Sequence, residues 1–303
     1  MTRKEFIGSS AAFAAVGRGL AAETADGDLK AFQAEIDAVK PAVFEDYLVQ
    51  TPQTYDAWRK DHDYPALDRL ERGFDKVVRE VKSTTVTDRP AVWFVYNMGF
   101  VVKTPKTCFA IDLKHRRGHE LAPDLDFALI THNHDDHYTE AFYRAMNGKA
   151  KTVISNFKDN YGALRGGTGA VGGYTRAVKT FRIKDVEIRT TLTDHNAYLV
   201  DFTTAFEIKV GDFVIYHSGD CSNVAKLEPV CPNPDLWIVH PRCGLKVDEG
   251  AAKLKPKTTV IAHLNELGHG KWRWTWADGL KEKAKAESAG GRVVMPLWGD
   301  RIA

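Results

Sequence analysis

Three imidazoles and their companion carboxylates crowd into six consecutive residues, His132-Asn133-His134-Asp135-Asp136-His137. They follow directly on Asp126-Phe127-Ala128-Leu129-Ile130-Thr131, which reads as a buried strand. So many polar groups at the end of an apolar strand are costly to desolvate unless a ligand compensates them. Alternate residues of an extended segment point the same way, so His132 and His134 can close on one cation. Asp136 and His137, where the chain turns toward a helix, can face a second. Imidazole together with carboxylate suits zinc, and also manganese or iron.

Further candidates recur downstream at strand ends: Thr193-Asp194-His195, Ile215-Tyr216-His217-Ser218-Gly219-Asp220 and Val260-Ile261-Ala262-His263. The HxHxDH run, the strand before it, the turn-rich lead-in from Val95 to Pro105 and these three elements in order resemble the metallo-β-lactamase superfamily. The resemblance covers Ala91 to Ala303. It implies an α/β (α+β) fold, a four-layer αβ/βα sandwich of two β-sheets flanked by helices. It also implies two divalent metal ions, zinc before manganese or iron. His132, His134 and His195 would hold one, Asp136, His137 and His263 the other, and Asp220 would bridge them. In such a site a hydroxide between the cations attacks a carbonyl or phosphoryl centre in a dry cleft, and the metals neutralise charge building on oxygen. Asp136 would orient the nucleophile as well as bind metal.

The same residues narrow the group. Flavodiiron oxidoreductases of the superfamily carry glutamate where this chain has His134, and the antibiotic-hydrolysing enzymes typically lack an aspartate bridge at the position of Asp220. The phrase Tyr216-His217-Ser218-Gly219-Asp220 looks most like the lactonase-type and phosphodiesterase-type members. The implied activity is hydrolysis of a small-molecule ester, lactone, thioester or phosphodiester. Two rivals stand beside it: a mononuclear iron oxidoreductase resembling the persulfide dioxygenases, and a non-catalytic metal-binding module.

Other residues carry weaker signals. His269, on the loop after His263, could hydrogen-bond the substrate or shuttle a proton, and Glu266 shares that loop. Trp272, Trp274 and Trp276 either wall a pocket or pack as core. Gly167-Thr168-Gly169-Ala170-Val171-Gly172 has the GxGxxG spacing, but a strand pattern follows it, so it reads as a glycine loop beside the cleft rather than a nucleotide cradle. His115 and His119 sit among Lys114, Arg116 and Arg117 and read as a solvated loop. His217 and His240 read as satisfied histidines at strand ends. Cys221 reads as structural, its side chain turned away from that of Asp220.

The elements that must position these groups follow from periodicity. Leu29, Phe32, Ile36 and Val39 recur at helical spacing; so do Leu67, Leu70, Phe74, Val77, Val78 and Val81 after Pro65. These predict two amphipathic helices in an N-terminal extension, residues 28–90, packed on a main domain of residues 91–303. Strands are predicted over 92–96, 100–103, 108–113, 127–131, 152–155, 186–192, 213–217, 236–240 and 258–263, with hairpin turns at Asn97-Met98-Gly99 and Thr104-Pro105-Lys106. Helices are predicted over 139–147 and 277–288.

The chain of 303 residues, 44% hydrophobic and 27% charged, has an ordinary globular composition. Its four cysteines form no CxxC and no disulfide framework. A net charge of +2 is too small a basic excess for an electrostatic nucleic-acid binder. Residues 1–21 have the basic start, short apolar run and small-residue end of an export signal. Thr2-Arg3-Lys4-Glu5-Phe6-Ile7 resembles a twin-arginine signal with Lys4 in the second arginine's place. The apolar run is too short to span a bilayer, which excludes stable membrane insertion by this segment. Cleavage after Ala21 would take the formal charge to zero and place the protein in the periplasm or medium; the alternative is a cytoplasmic protein.

Overall fold

The computed structural model describes residues 26–149, 151–157 and 177–303. The export-signal reading and the Gly167–Gly172 loop fall outside the described residues. Four helices come first: α1 (Asp26–Ala38), α2 (Pro41–Val49), α3 (Pro52–Asp61) and α4 (Pro65–Ser83). The sequence pattern predicted two. Proline opens each of α2, α3 and α4 at the first turn, where a missing N–H costs no helical hydrogen bond. The two additional helices are short, and α3 buries no residue fully, so neither leaves an amphipathic stripe to read.

Then follow β1 (Ala91–Tyr96), β2 (Gly99–Lys103), β3 (Cys108–Ile111), β4 (Phe127–Leu129), α5 (Glu140–Gly148) and β5 (Thr152–Ile154). These strands form one sheet in the order β1-β2-β3-β4-β5, antiparallel at first and parallel from β3 to β5. The second sheet is built from β6 (Thr180–Ile183), β7 (Val186–Thr193), β8 (Thr203–Val210), β9 (Phe213–His217), β10 (Leu236–Val239), β11 (Thr258–Ile261) and β12 (Arg292–Val294). Its order is β12-β11-β10-β9-β8-β7-β6, and the half from β9 to β12 is parallel. Helices α6 (Val247–Leu254) and α7 (Trp276–Ser288) lie between its later strands in sequence.

Three apolar layers follow from the two-residue period of the strands. Val92, Phe94, Phe100, Phe109 and Leu129 from the first sheet meet Ile188, Phe206, Ile215 and Ile238 from the second. The alternate residues Trp93, Val95, Val101 and Ala128 turn outward against Ile36, Phe44, Leu70, Phe74 and Val77 of the N-terminal helices and Phe142 of α5. On the far side, Trp237, Val239 and Ile261 pack with Val247 and Ala251 of α6 and Trp276 and Ala286 of α7. The architecture is therefore helix, sheet, sheet, helix.

Two close approaches fix the geometry. Gly73 of α4 lies where an added Cβ would meet the Trp298 carbonyl oxygen at 2.7 Å, so helix and tail can touch only through glycine. The tail then pairs with the outer edge of β1, where Val92 N–H donates to the Ala303 carbonyl and Ile302 N–H to that of Val92.

His115 is not on a solvated loop. It is fully buried, stacked on Phe74 with ring centroids 4.0 Å apart, and its Nε2 lies 3.2 Å from the Tyr47 hydroxyl. Burial, with Arg116 and Arg117 beside it, drives its pKa well below the usual imidazole range. The segment from Lys114 to Glu120 is covered by α2 and α4, whose packing the local polar composition could not show.

Candidate metal centre

All the candidate ligands sit just past the C-terminal ends of strands: 132–137 beyond β4, His195 beyond β7, Asp220 beyond β9 and His263 beyond β11. Strand carboxyl ends in α/β sheets open into ligand-binding crevices. Here the ends of both sheets converge on one cleft of about 620 Å³. Gly219 turns the chain after β9 at φ +56°, and a Cβ there would strike the Thr203 hydroxyl at 2.7 Å. That turn delivers Asp220 into the cleft.

The side chains form two adjoining donor groups. His132, His134 and His195 make one; Asp136, His137, Asp220 and His263 make the other; Asp220 also groups with His195 and Cys243, each set having ligand atoms within 4.8 Å of one another. Asp220 Oδ2 is the focus. Five imidazole Nε2 atoms surround it: His137 at 3.4 Å, His195 at 3.5 Å, His240 at 3.8 Å, and His132 and His263 at 3.9 Å. His263 Nε2 also lies 2.9 Å from Asp136 Oδ2.

A second tier sets which nitrogens are bare. The Thr131 hydroxyl donates to Asp112 Oδ2 at 2.7 Å, and the Thr131 N–H donates to Asp112 Oδ1. Asp112 Oδ2 is also 2.8 Å from His137 Nδ1, and Thr131 Oγ1 is 3.0 Å from His132 Nδ1. Asp112 is acceptor-only and the Thr131 proton is committed, so both imidazoles carry their proton on Nδ1. In the neutral ring of each, Nε2 is unprotonated and aimed at the cluster, the outer-shell pattern of metal-binding histidines. His137 Nε2 and Asp220 Oδ1 are buried with no hydrogen-bond partner. Imidazole nitrogens and carboxylate oxygens facing one another at this burial call for a positive charge, and a divalent cation fits this donor set.

The proton affinities show a demand for positive charge at the cluster, strongest at His137. Burial opposes ionisation of Asp220, but His137 and His240 outweigh it and hold its pKa well below the carboxylate range. Burial likewise opposes charge on Asp136, yet His137 and His263 depress it. Burial pushes His132 well down, keeping it neutral, whereas on His137 Asp136, Asp220 and Asp112 overcome burial and raise it. Asn97, in the β1–β2 turn at φ +56°, donates from Nδ2 to the Asp136 carbonyl and to its Oδ2. The turn thus holds Asp136 in place.

Some site residues carried no signal of their own. His240 is not a mere strand-end histidine: it stacks on His263 at 3.7 Å and lines the cleft. Cys243 Sγ is 3.8 Å from Asp220 Oδ2. Arg242 lines the wall between them. Strand β10 lies between β9 and β11 in the sheet, so the residues after it must reach the same cleft; that adjacency was the available clue. His217, in contrast, is a structural histidine, with Nε2 3.1 Å from the Met98 carbonyl oxygen. Cys221 is buried, with Sγ donating to the Asn223 carbonyl oxygen, and burial raises its thiol to about 11.

The mouth loop divides the other candidates. His269 lines the cleft, with Nδ1 2.8 Å from Glu266 Oε2. The Glu266 hydrogen bond raises the His269 pKa, and Glu266, despite its burial, falls to about 2 chiefly through His269. Trp272 is 62% exposed and lines the cleft. Trp276 is core, and Trp274 packs partly buried beside it.

Comparison with known proteins matches residues 91–231 to the β-lactamase superfamily domain. A UPF0173 metal-dependent hydrolase of Nanoarchaeum equitans is 25% identical over 187 residues, covering 58% of this chain and 84% of the relative. Among solved structures, CmlA, a diiron β-hydroxylase from Streptomyces venezuelae, superposes with TM-score 0.56 at 14% identity, over 70% of this chain and 54% of that one. This chain thus spans about half of CmlA. The metallo-β-lactamase fold protein YhfI from Bacillus subtilis gives TM-score 0.53 at 14% identity, over 70% of this chain and 98% of YhfI. Two sheets between helical layers, with histidines and aspartates gathered at their carboxyl ends, are the metallo-β-lactamase fold.

Proposed function

We propose that this protein is a metal-dependent hydrolase that holds two divalent cations, zinc foremost, in the two adjoining donor groups. The observation that carries the reading is Asp220, a buried carboxylate of the second group whose Oδ2 also lies 3.5 Å from His195 and 3.9 Å from His132 of the first, with its other oxygen unpartnered. The relative from Nanoarchaeum equitans, named a metal-dependent hydrolase, supports it. His132, His134 and His195 would hold one cation, Asp136, His137 and His263 the other, with Asp220 between. Bound cations supply Lewis acidity toward a carbonyl or phosphoryl oxygen and make a water acidic enough to attack near neutral pH. The chain does the rest. Asp112 and Thr131 fix the imidazole tautomers, Asn97 orients Asp136, and the buried cluster excludes bulk water. His269, backed by Glu266, faces the cleft, where it can give a proton to a leaving group. The substrate is a small ester, lactone, thioester or phosphodiester.

Metal analysis of protein purified without added metal tests this. Two zinc or manganese ions per chain are expected; one iron, with thiol-dependent oxygen uptake, would replace the hydrolase with an iron oxidoreductase. Asp220→Ala is expected to fold, lose part of its metal and lose turnover by orders of magnitude; full metal content with full activity would end the two-metal reading. We also propose, on residues 1–21, that the protein is exported. Mass spectrometry of protein from a host with a working twin-arginine pathway is expected to find a start near Ala22, and an intact Met1 or Thr2 start would refute it.

A further inference from the structure

Arg242 stands in the cleft wall with its guanidinium over the Trp272 ring, 5.8 Å from the centroid. Among the described residues no carboxylate lies within ion-pair distance of it. The residues flanking it hold it close to the donor cluster, since His240 Nε2 and Cys243 Sγ both lie 3.8 Å from Asp220 Oδ2. Its backbone N–H donates to His240 Nδ1, which fixes the turn between them. Lys271 adds a second cation over the Trp272 ring, at 5.2 Å. The carboxylates lining the cleft are Asp136 and Asp220, buried at its floor and already engaged with imidazoles. The wall at the mouth therefore carries two cations, with Asp278 acting on Arg242 only from beyond ion-pair distance.

We infer that the cleft takes an anionic substrate, whose non-reacting carboxylate or phosphate group pairs with Arg242 beside Trp272. This rests on the hydrolytic reading above. A guanidinium held over an aromatic face by its charge keeps its N–H groups for other partners, and their fork matches a carboxylate or phosphate edge with two parallel hydrogen bonds. A neutral substrate would cover Arg242 and leave it desolvated and unpaired, which disfavours binding. Charge at one end and the metal centre at the other would fix the orientation of the scissile bond.

The test compares 4-nitrophenyl hydrogen succinate, which carries a carboxylate away from its ester, with neutral 4-nitrophenyl butyrate, on metal-loaded protein. The ratio of kcat/KM for the charged over the neutral ester is expected to favour the charged one and to fall about 10- to 100-fold in Arg242→Met, the scale of one charge-assisted hydrogen-bonded pair. Arg242→Lys, which keeps the charge but not the fork, is expected to recover part of the ratio. Competitive inhibition by succinate against that by inorganic phosphate tells which anion the site prefers. Tryptophan emission on adding either anion gives a readout without turnover, expected to vanish in Trp272→Phe and in Arg242→Met. If neither ester is cleaved but the Arg242-dependent emission change persists, the anion site stands and the hydrolytic reading falls. A ratio unchanged in Arg242→Met, with no Arg242-dependent emission change, overturns the anion site.

Discussion

Asp112 touches no candidate cation, yet it decides which nitrogen of His137 is bare. In Asp112→Asn one acceptor oxygen becomes an NH2 donor, which opposes either the Thr131 N–H or both the Thr131 hydroxyl and His137 Nδ1. Metal affinity is expected to fall about 10- to 100-fold, the usual effect of losing such a partner; competition with a chelator measures it, and unchanged affinity would mean the tautomer is set elsewhere. His269→Ala is expected to lower kcat about 10²–10⁴-fold with metal content intact, if the residue moves a proton; an unaltered kcat would remove it from the chemistry. The Glu266–His269 pair also has a pH signature. Glu266, depressed to about 2, stabilises the fold above its ordinary 4.5, and that contribution is lost as pH falls toward about 2. His269, raised above its ordinary 6.5, stabilises below that pH and loses the effect as pH rises through its folded value. Glu266→Gln is expected to flatten melting temperature against pH in both windows. The histidines and aspartates at strand ends were legible because a family resemblance names them. Asp112, Asn97, His240, Arg242 and Cys243 were not, because sheet neighbours bring them to the site and no local spacing records that.

At the scale of elements, the mouth loop 264–276 is fastened to the N-terminal extension. Arg273 donates to four carbonyls, those of Glu266 and Leu267 on its own loop and of Ile36 and Val39 at the end of α1. Trp276 N–H reaches Gln33 Oε1 on α1, and Pro41 of α2 packs against Gly270. A lysine cannot reproduce that planar fork. Arg273→Lys is expected to cost about 1–3 kcal/mol, the penalty for unsatisfied buried partners, and to speed amide exchange in the loop; thermal unfolding and hydrogen exchange check both. The strands were readable wherever β-branched and aromatic residues clustered. Strand β8 is the exception: rich in such residues, it is buried at seven of its eight positions and so shows no alternation, and the buried Glu207 among them accepts from the N–H groups of Val230 and Cys231. Helix α6 has eight residues and β12 has three, too few for a period to declare itself.

For the whole molecule, three apolar layers carry the stability and the donor cluster sits at their rim. Removing metal with a chelator is expected to lower the melting temperature, because a ligand bound only to the folded state stabilises it by mass action. The far-ultraviolet circular dichroism at room temperature should be unchanged. Loss of that spectrum on chelation would show that the metals hold the two sheets together rather than rest between them.

The pairing of residues 300–303 with β1 also has a consequence in time. During synthesis β1 leaves the ribosome long before its edge partner exists. Its N–H and C=O groups must wait, open to any passing strand, while the second sheet is made. The first sheet is therefore sealed by chain that emerges after every candidate metal ligand has appeared. A nascent chain arrested before residue 300 would have all its ligands but an unguarded flank, and should be cut by protease or captured by a chaperone where the released chain is not.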